Sequence, residues 1–248
     1  PRLPRRRAIL VATAMALSVA YASIATAQPA ATPATQEEYV PDVGQDGKDV
    51  IWVPTPQTLV DKMLDMAKVT PKDRLMDLGS GDGRTVITAA QRGLTAQGIE
   101  YNPDLVELSR RNAQRAGVAD RATFVAADLF QTDLSKADVI TMFLLSTINE
   151  KLRPTLLQLP PGTRVVSNTF RMGDWEPDAA ETVTKDCSTY CTALLWIVPA
   201  KVEGKWEVDG QTLHLTQQYQ MLSGKLGSAD ISDARLNGNA ISLSLIHI

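Results

Sequence analysis

Short apolar runs alternate with segments of helical periodicity through the middle of the chain. The runs predict strands, and the segments whose apolar residues recur every three or four positions predict helices. The predicted strands are Leu75–Leu78, Ala96–Tyr101, Ala122–Ala127, Ala137–Leu144 and Thr163–Phe170. The predicted helices are Gln57–Lys68, Thr85–Gln91, one that begins at Pro103 and ends at Gly117, and Asn149–Leu157. Because strands covered on both faces are almost continuously apolar, this alternation predicts an α/β fold with a doubly wound, mostly parallel sheet.

The pattern changes after the next predicted strand, Thr192–Pro199, which we expect to pair with an antiparallel edge at Glu181–Lys185. From Lys201 onward, strand-like runs are separated by turn signals. The runs are Lys205–Val208, Thr212–Met221 and Ala240–Leu243, and the turns fall at Asp209-Gly210, Gly224 and Asn237–Asn239. They predict a small antiparallel β extension that is truncated before its later strands. A strand-like stretch at Val50–Val53 precedes the first helix.

The first 27 residues have the three parts of a secretory signal peptide. Four arginines precede an apolar stretch from Ala8 to about Ala25, and Ala25-Thr26-Ala27 offers a small-residue cleavage site. These features predict an exported, periplasmic protein with no stable membrane span after cleavage. The alternative is an uncleaved membrane anchor, although Thr13 and Ser18 dilute the apolar stretch.

The predicted organisation follows from these segments. Residues 1–27 are the signal peptide, 28–56 a linker and N-terminal arm, 57–200 the main domain, and 201–242 the incomplete β extension. The last segment, 243–248, has the sequence LSLIHI, which the end of a transposon-derived sequencing adapter can encode. We therefore expect an artefact there and exclude it, with His247, from the predicted fold.

The charge balance argues against a nucleic-acid partner. The chain carries 25 Lys and Arg against 28 Asp and Glu, a formal net charge of −3. Loss of the predicted signal peptide removes four arginines and no acids, which leaves the mature chain more acidic. Binding along a nucleic-acid backbone needs clustered basic residues, so we expect no nucleic-acid partner.

The chain has two cysteines, Cys187 and Cys191, four positions apart. They fit two readings equally: a short disulfide across a turn in an oxidising compartment, or two free thiols. A metal site would need further ligands, and the two histidines lie far away in the sequence. We predict no metal.

A glycine-rich turn follows the first predicted strand, and an acid ends the second. The turn is Gly79-Ser80-Gly81-Asp82-Gly83, and Glu100 lies at the end of the next strand. Glycines let the backbone approach a ligand closely, and the N-terminus of the following helix favours an anionic group. A carboxylate such as that of Glu100 can accept both hydroxyls of a ribose. A glycine turn alone is often only a tight link, but with both features the segment predicts a nucleoside-binding half-fold.

The pattern D-x-G-x-G-x-G over Asp77–Gly83, with an acid ending the next strand, resembles the first two motifs of class I S-adenosylmethionine (SAM) methyltransferases. The resemblance implies their Rossmann-like fold, SAM as the cofactor, and methyl transfer to a nucleophilic acceptor. It implies that the turn contacts the methionine end of SAM, that Glu100 binds the ribose, and that Asp128 accepts the adenine amino group. The alternative for Asp128 is an acid that only ends a strand. The implied cofactor-binding residues are Asp77, Gly79, Ser80, Gly81, Gly83, Glu100, Tyr101, Asn102, Asp128 and Leu129. We expect the helix Gln57–Lys68 to roof this site.

Further local matches resemble one branch of these enzymes, the ATP synthase c-subunit lysine methyltransferases and their bacterial relatives. The matches are GSGDGR at Gly79–Arg84, E-x-N-P at Glu100–Pro103, L-R-P at Leu152–Pro154, and the stretch Pro161–Asp178. The branch implies a protein lysine as the methyl acceptor. No catalytic base is assigned. Asn168, Thr169 and Ser146 are candidates for orienting the acceptor, or ordinary strand-end hydrogen-bonding residues, and we expect Leu144 to belong to the core.

Two other functions fit parts of the sequence. An exported module that binds a nucleoside or SAM without catalysis fits the signal peptide and the unassigned base. An NAD-dependent oxidoreductase fits the glycine turn, but its turn usually has the spacing G-x-G-x-x-G, and the chain shows no recognisable Tyr-x-x-x-Lys pair. The sequence assigns no oligomeric state.

Overall fold

A seven-stranded sheet organises the main part of the computed structural model, which describes residues 39–245. Its strands are β1 Arg74–Leu78, β2 Thr95–Glu100, β3 Ala122–Ala126, β4 Val139–Met142, β5 Arg164–Asn168, β6 Ala179–Thr182 and β7 Thr192–Ile197. Their order is β3-β2-β1-β4-β5-β7-β6. The first five are parallel, whereas β7 is antiparallel to both β5 and β6. The predicted Rossmann-like α/β fold is confirmed.

Helices cover both faces of this sheet. They are α1 Gln57–Met66, α2 Arg84–Gln91, α3 Pro103–Arg115 and α4 Ser146–Leu156. Adjacent residues of one strand belong to opposite faces: Val166 packs in the cluster with α1 and α2, and Val165 packs in the cluster with α4. Helix α3 begins as predicted, because the side chain of Asn102 accepts a hydrogen bond from the N–H of Asp104.

A second, antiparallel sheet has the order β12-β11-β10-β9-β8. Its strands are β8 Gly204–Val208, β9 Gln211–Gln218, β10 Met221–Leu226, β11 Ala229–Asn237 and β12 Ala240–Leu245. The predicted turn at Gly224 is wrong, since Gly224 lies inside β10 opposite Leu215. The sequence pattern missed both β10 and β11, because Gly224 is a turn signal inside β10 and polar residues interrupt the apolar positions of β11.

The second sheet contacts the main domain through the segment before β6. Trp175 is fully buried, and its indole N–H donates to Oε1 of Gln220 at 2.9 Å. Its ring stacks on Tyr219, with the centroids 5.9 Å apart. Arg235 of β11 adds an ion pair of 2.5 Å with Asp178. The extension is therefore anchored to the main domain by a buried aromatic contact.

Several predictions about the ends of the chain fall on residues that the structure does not describe. The predicted signal peptide 1–27 and the first part of the 28–56 segment lie outside the described range, as do the last three residues of 243–248, including His247. Residues 243–245 lie in β12, where Ser244 and Leu245 pair with Ser232 and Ile231 of β11. The predicted strand Val50–Val53 is wrong, because these residues form an irregular arm. Within residues 39–245, no helix combines the length and the apolar character needed to cross a membrane.

Candidate active site

A cavity of about 470 Å³ lies at the carboxyl ends of the parallel strands. This volume is typical of small-molecule sites, and the carboxyl ends of the strands are where open α/β sheets bind their ligands. The cavity is lined by the ends of β1, β2, β3 and β4, by loops near β5 and β7, and by the arm before α1. Nine of the ten residues implied as cofactor contacts line it: Asp77, Gly79, Ser80, Gly81, Glu100, Tyr101, Asn102, Asp128 and Leu129.

Gly79 and Gly81 bring the turn into the cavity without side chains. Both have positive φ, 75° and 55°, a backbone region that disfavours a side chain. The N–H of Gly79 donates to the carbonyl of Ile99 at 2.8 Å, which ties the turn to the end of β2. A methyl group added to Gly81 would lie 2.5 Å from Nε1 of Trp52. The turn therefore requires glycine at Gly81 for both conformation and space.

Gly83 is the exception among the ten residues, because it does not line the cavity. A methyl group added there would lie 2.7 Å from the Phe124 ring and 2.9 Å from Cβ of Ser109. Gly83 therefore lies where the start of α2 packs against β3 and α3. Gly83 thus has a packing role that the D-x-G-x-G-x-G pattern does not reveal, and the implied cofactor contact there stays a prediction.

The carboxylate of Glu100 connects β2 to the glycine turn. One oxygen accepts the N–H of Gly81 at 2.9 Å, and the other accepts the N–H of Asn102 at 3.0 Å. Each carboxylate oxygen has a further lone pair. Glu100 is therefore held in place by backbone donors while it keeps acceptor capacity for a ligand.

Asp77 lies at the end of β1 and is buried, with 6% of its surface exposed. Burial raises the pKa of its carboxyl group to about 7; a 2.6 Å hydrogen bond from Thr141 opposes this shift, and the negative charges of Glu100 and Asp82 add to it. Next to it, the buried Oγ of Ser80 has no hydrogen-bond partner among the described residues. This oxygen lies against β2, because a Cβ added to Gly98 would be 2.5 Å from it.

Asp128 caps the short 3₁₀ helix Leu129–Gln131 by accepting the N–H of Phe130. Lys48 of the arm approaches the same carboxylate at 2.7 Å and lies 4.7 Å from the centroid of the Tyr101 ring. The hydrogen bond from Lys48 holds the pKa of Asp128 below its usual range. No sequence pattern indicates Lys48, because it lies 80 residues away from Asp128.

The arm residues 45–55 line one side of the cavity. The prediction that α1 covers the site is therefore wrong for all of α1 except one residue. Of α1, Met63 alone lines the cavity. Two backbone hydrogen bonds close the arm into a loop, one from Gly44 to the carbonyl of Trp52 and one from Trp52 to the carbonyl of Gln45. The loop places Trp52 against the glycine turn.

The half of the cavity beyond β1, near β4 and β5, is apolar. It is lined by Met142, Phe143, Leu144, Leu145, Ile148, Phe170 and Tyr190. Leu144 is buried in the core, as predicted, and also contacts the cavity. The candidates for orienting the acceptor do not line the cavity: Asn168 is buried and donates to Thr55, the hydroxyl of Thr169 donates to Asn168, and Ser146 begins α4.

The cavity lining is acidic. Six carboxylates line it with two cationic side chains: Asp46, Asp49, Asp77, Asp82, Glu100 and Asp128 with Lys48 and Arg84. Arg84 is itself paired with Asp82 at 2.6 Å. Among residues 39–245, no group of three or more His, Cys, Asp or Glu side chains is arranged to hold a metal ion. The electrostatics favour a cationic ligand over a polyanion.

Comparison with known proteins identifies the family. A family profile described as the ANTKMT methyltransferase domain matches residues 77–179. A protein-lysine N-methyltransferase of Saccharolobus islandicus is 41% identical over 152 residues, which cover 60% of this chain and 94% of that protein. The chain belongs to the ANTKMT methyltransferase family. It is a SAM-dependent methyltransferase. This result excludes the two alternative functions, an NAD-dependent oxidoreductase and a binding module without catalysis.

Two further proteins are similar to this methyltransferase. The ATP synthase c-subunit lysine N-methyltransferase of Mus musculus is 35% identical over 155 residues, which cover 62% of this chain and 58% of that protein. A structure of an RNA methyltransferase from Salinibacter ruber, in complex with S-adenosyl-L-homocysteine, is 49% identical with a TM-score of 0.57. It covers 60% of this chain and 96% of the Salinibacter chain. This methyltransferase spans less than two thirds of the mouse relative's length.

Proposed function

We propose that this methyltransferase transfers methyl groups from SAM to the side-chain amine of a lysine in a protein substrate. The acidic cavity with one apolar half carries this proposal. The aliphatic part of a lysine side chain fits apolar and aromatic walls, and its cationic end is attracted to carboxylates. The names of the archaeal and mouse relatives, both lysine N-methyltransferases, support the same acceptor.

The residues of the cavity fit SAM in two respects. Gly79 and Gly81 bring the backbone of the turn to the cavity without side chains, and Glu100 keeps free lone pairs. We assign the ribose to Glu100 and the cationic methionine end to the neighbourhood of Asp77 and Gly79. Asp128 and Leu129 are assigned to the adenine. These assignments keep the roles that the resemblance implied, except for Gly83.

SAM supplies a methyl group on a sulfonium, so the acceptor nitrogen forms the new bond to carbon while sulfur keeps the electron pair of the broken bond. The positive charge then resides on nitrogen, and its proton leaves to solvent. The protein must therefore bind a neutral amine close to the methyl carbon and exclude water. Aliphatic side chains of the acceptor half, such as Leu144 and Ile148, lower the pKa of a buried lysine amine and so favour its neutral form.

RNA is the second candidate acceptor, because the Salinibacter structure is described as an RNA methyltransferase. An RNA-binding surface needs clustered Lys and Arg. The net charge of −3 and the six carboxylates around the cavity disfavour a phosphate backbone. We therefore favour lysine.

Transfer of tritiated methyl groups from SAM tests both acceptors in one experiment. The full chain is incubated with a lysine-rich protein fraction and, separately, with total RNA from the same cells. We expect label in the protein fraction, recovered as methylated lysine after acid hydrolysis. Label in RNA alone would refute the lysine proposal. A matched variant, Glu100→Gln, should no longer incorporate tritiated methyl groups. Its loss of label would show that the signal depends on this site.

We also propose that the protein works after export from the cytosol. The signal-peptide pattern of residues 1–27 supports export. The disulfide between Cys187 and Cys191 agrees with it, because structural disulfides persist in oxidising compartments. Fractionation of cells that express the chain, with N-terminal sequencing of the recovered protein, tests this. Uncleaved protein in the cytosol would contradict it.

A further inference from the structure

We propose that Phe143, Phe170 and Tyr190 form an aromatic platform that binds the positively charged, methylated end of the acceptor amine, and that Tyr190 sets how many methyl groups the amine receives. The inference rests on the proposed lysine methyltransferase activity and names a subsite within it. The three side chains line the same cavity as the glycine turn.

The three rings pack against one another. Their centroids are 6.0 Å apart for Phe143 and Phe170, 5.3 Å for Phe143 and Tyr190, and 5.7 Å for Phe170 and Tyr190. These are ordinary distances for aromatic pairs in contact. They leave no room for an ammonium between the rings, so a cation can only lie on the side of the cluster that faces the cavity. A cation within about 6 Å of a ring centroid gains cation–π attraction there.

The topology of the sheet places the platform on the acceptor side of the cavity. The residues assigned to SAM follow β1, β2 and β3, whereas Phe143 directly follows β4 and Phe170 lies two residues after β5. The chain order reverses between β1 and β4, and ligands of open α/β sheets lie across such a reversal. A nucleoside on the β1–β3 side therefore leaves the platform to the other reactant.

None of the three rings belongs to a core cluster, and Tyr190 is the exposed one, whereas Phe143 and Phe170 are half-buried. Tyr190 is 39% exposed, and its φ of 58° is unusual for a tyrosine. The disulfide between Cys187 and Cys191 closes the loop that carries it, and the adjoining backbone is fixed by a hydrogen bond from Thr169 to the carbonyl of Thr192. An exposed aromatic ring that the loop holds against two others fits a binding role.

A cation–π platform favours an amine more strongly once it is methylated, because a methylated ammonium is large and weakly hydrated while it remains cationic. The platform therefore holds mono- and dimethylated lysine in the site as the ammonium, which must lose its proton to solvent before nitrogen accepts the next methyl group. Removal of the Tyr190 ring should shift the products towards fewer methyl groups. The phenol oxygen is not needed, so phenylalanine should replace tyrosine.

The test compares the wild-type chain with Tyr190→Ala, Tyr190→Phe and, as a control in the same loop, Thr189→Ala. Peptides with unmodified lysine or dimethyllysine serve as acceptors, and mass spectrometry counts the methyl groups. For Tyr190→Ala we expect the kcat/KM ratio of dimethyllysine over lysine to fall about fivefold. Tyr190→Phe and Thr189→Ala should stay within about twofold of wild type. An unchanged ratio in Tyr190→Ala would refute the platform.

A binding measurement separates this inference from the proposed function. Calorimetry with SAM and, separately, with a trimethyllysine peptide and its uncharged carbon isostere reports the platform without turnover. We expect wild type to bind the charged peptide more tightly than the uncharged isostere. In Tyr190→Ala the ratio of the two affinities should fall about fivefold, while the affinity for SAM stays unchanged. Equal binding of the two peptides by wild type would refute the platform, even if methyl transfer occurs. Absence of methyl transfer to any lysine would refute the proposed function instead.

The disulfide provides a second variant of the loop. Cys187→Ser combined with Cys191→Ser keeps the Tyr190 ring but removes the covalent closure of its loop. We expect a change in the same direction as Tyr190→Ala and smaller, about threefold, which lies outside the twofold range of the controls. A change in the opposite direction would contradict the role of the loop.

Discussion

At the scale of the residue, the buried carboxyl group of Asp77 in the active site makes the stability of the folded protein depend on pH. Burial raises its pKa to about 7, whereas in the unfolded chain its pKa is near 3.8. Between these two values the folded protein binds a proton that the unfolded chain has lost. The contribution of Asp77 to stability is therefore greatest below pH 4 and declines as the pH rises to 7.

We predict that Asp77→Asn removes this decline. For the wild-type chain without ligand, the shift corresponds to roughly 4 kcal/mol of unfolding free energy lost between pH 4 and pH 7. The asparagine can still accept the hydrogen bond from Thr141, and it does not ionise. Urea denaturation at pH 5 and pH 8 should show a smaller difference for the variant than for wild type. Equal differences in the two proteins would mean that Asp77 titrates at an ordinary pKa.

A substitution at Glu100 separates the effect on SAM affinity from the effect on the free energy of unfolding. Its two oxygens accept the N–H groups of Gly81 and Asn102, and the assignment to ribose uses the remaining lone pairs. We predict that Glu100→Gln weakens SAM binding at least tenfold, because the amide keeps one acceptor oxygen and loses the charge. Unfolding free energy should fall by only about 1–3 kcal/mol.

Calorimetric titration with SAM measures the effect of Glu100→Gln. The matched control is Glu107→Gln on the exposed side of α3, where the carboxylate pairs with Arg110. Its SAM affinity should remain within about twofold of wild type, since surface ion pairs contribute little. A Glu100→Gln variant that binds SAM as tightly as this control would remove Glu100 from the ribose site.

At the scale of the element, the sequence predicts what depends on local periodicity and local chemistry. The strands and helices of the main domain appear within a few residues of their predicted bounds, because buried strands are short apolar runs and Asn102-Pro103 is a strong helix start. The sequence predicts the edge strand at Glu181–Lys185, whereas β6 spans Ala179–Thr182. All four residues of β6 are exposed, so no apolar pattern fixes its position.

Features that depend on contacts between distant segments could not be predicted from the sequence. Lys48 meets Asp128, and Trp52 lies against Gly81, only because the arm folds back over the sheet. The platform joins Phe143, Phe170 and Tyr190 from three loops, and no sequence pattern connects these three positions. Strand β10 was missed because Gly224, normally a turn signal, pairs inside a strand with a φ of 151°.

Trp175 gives a prediction at this scale, since it is the main contact between the two sheets. It is fully buried between Trp196 and Tyr219 and donates a hydrogen bond to Gln220. Trp175→Ala should lower the unfolding free energy by roughly 3–5 kcal/mol, as expected for a buried tryptophan. Chemical denaturation followed by circular dichroism measures this change.

The control for Trp175 is Trp206→Ala in β8. Trp206 is 49% exposed, so its removal leaves no comparable cavity, and the loss should be about 1 kcal/mol or less. If the two variants lose the same stability, the contact between the sheets does not contribute the stability assigned to Trp175.

At the scale of the whole molecule, the site and the second sheet use different parts of the chain. The residues that line the cavity extend from Gln45 to Tyr190, so no strand of the second sheet contributes to it. The family profile ends at residue 179, before β8 begins. The second sheet therefore adds to the methyltransferase domain without completing its active site, and its contact with Trp175 makes it a stabilising element.

This division predicts the behaviour of a chain that ends at Ala200. Such a chain keeps every residue of the cavity, so its affinity for SAM should stay within about threefold of the full chain. It loses the partners of Trp175, namely Tyr219 and Gln220, and the ion pair of Asp178 with Arg235. Its unfolding free energy should therefore fall at least as far as that of Trp175→Ala, by roughly 3–5 kcal/mol, because an exposed tryptophan replaces a buried one. Calorimetry with SAM and urea denaturation measure the two quantities on the same preparation. A folded truncated chain that fails to bind SAM would show that the second sheet shapes the active site, and one as stable as the full chain would show that the contact between the sheets adds no stability.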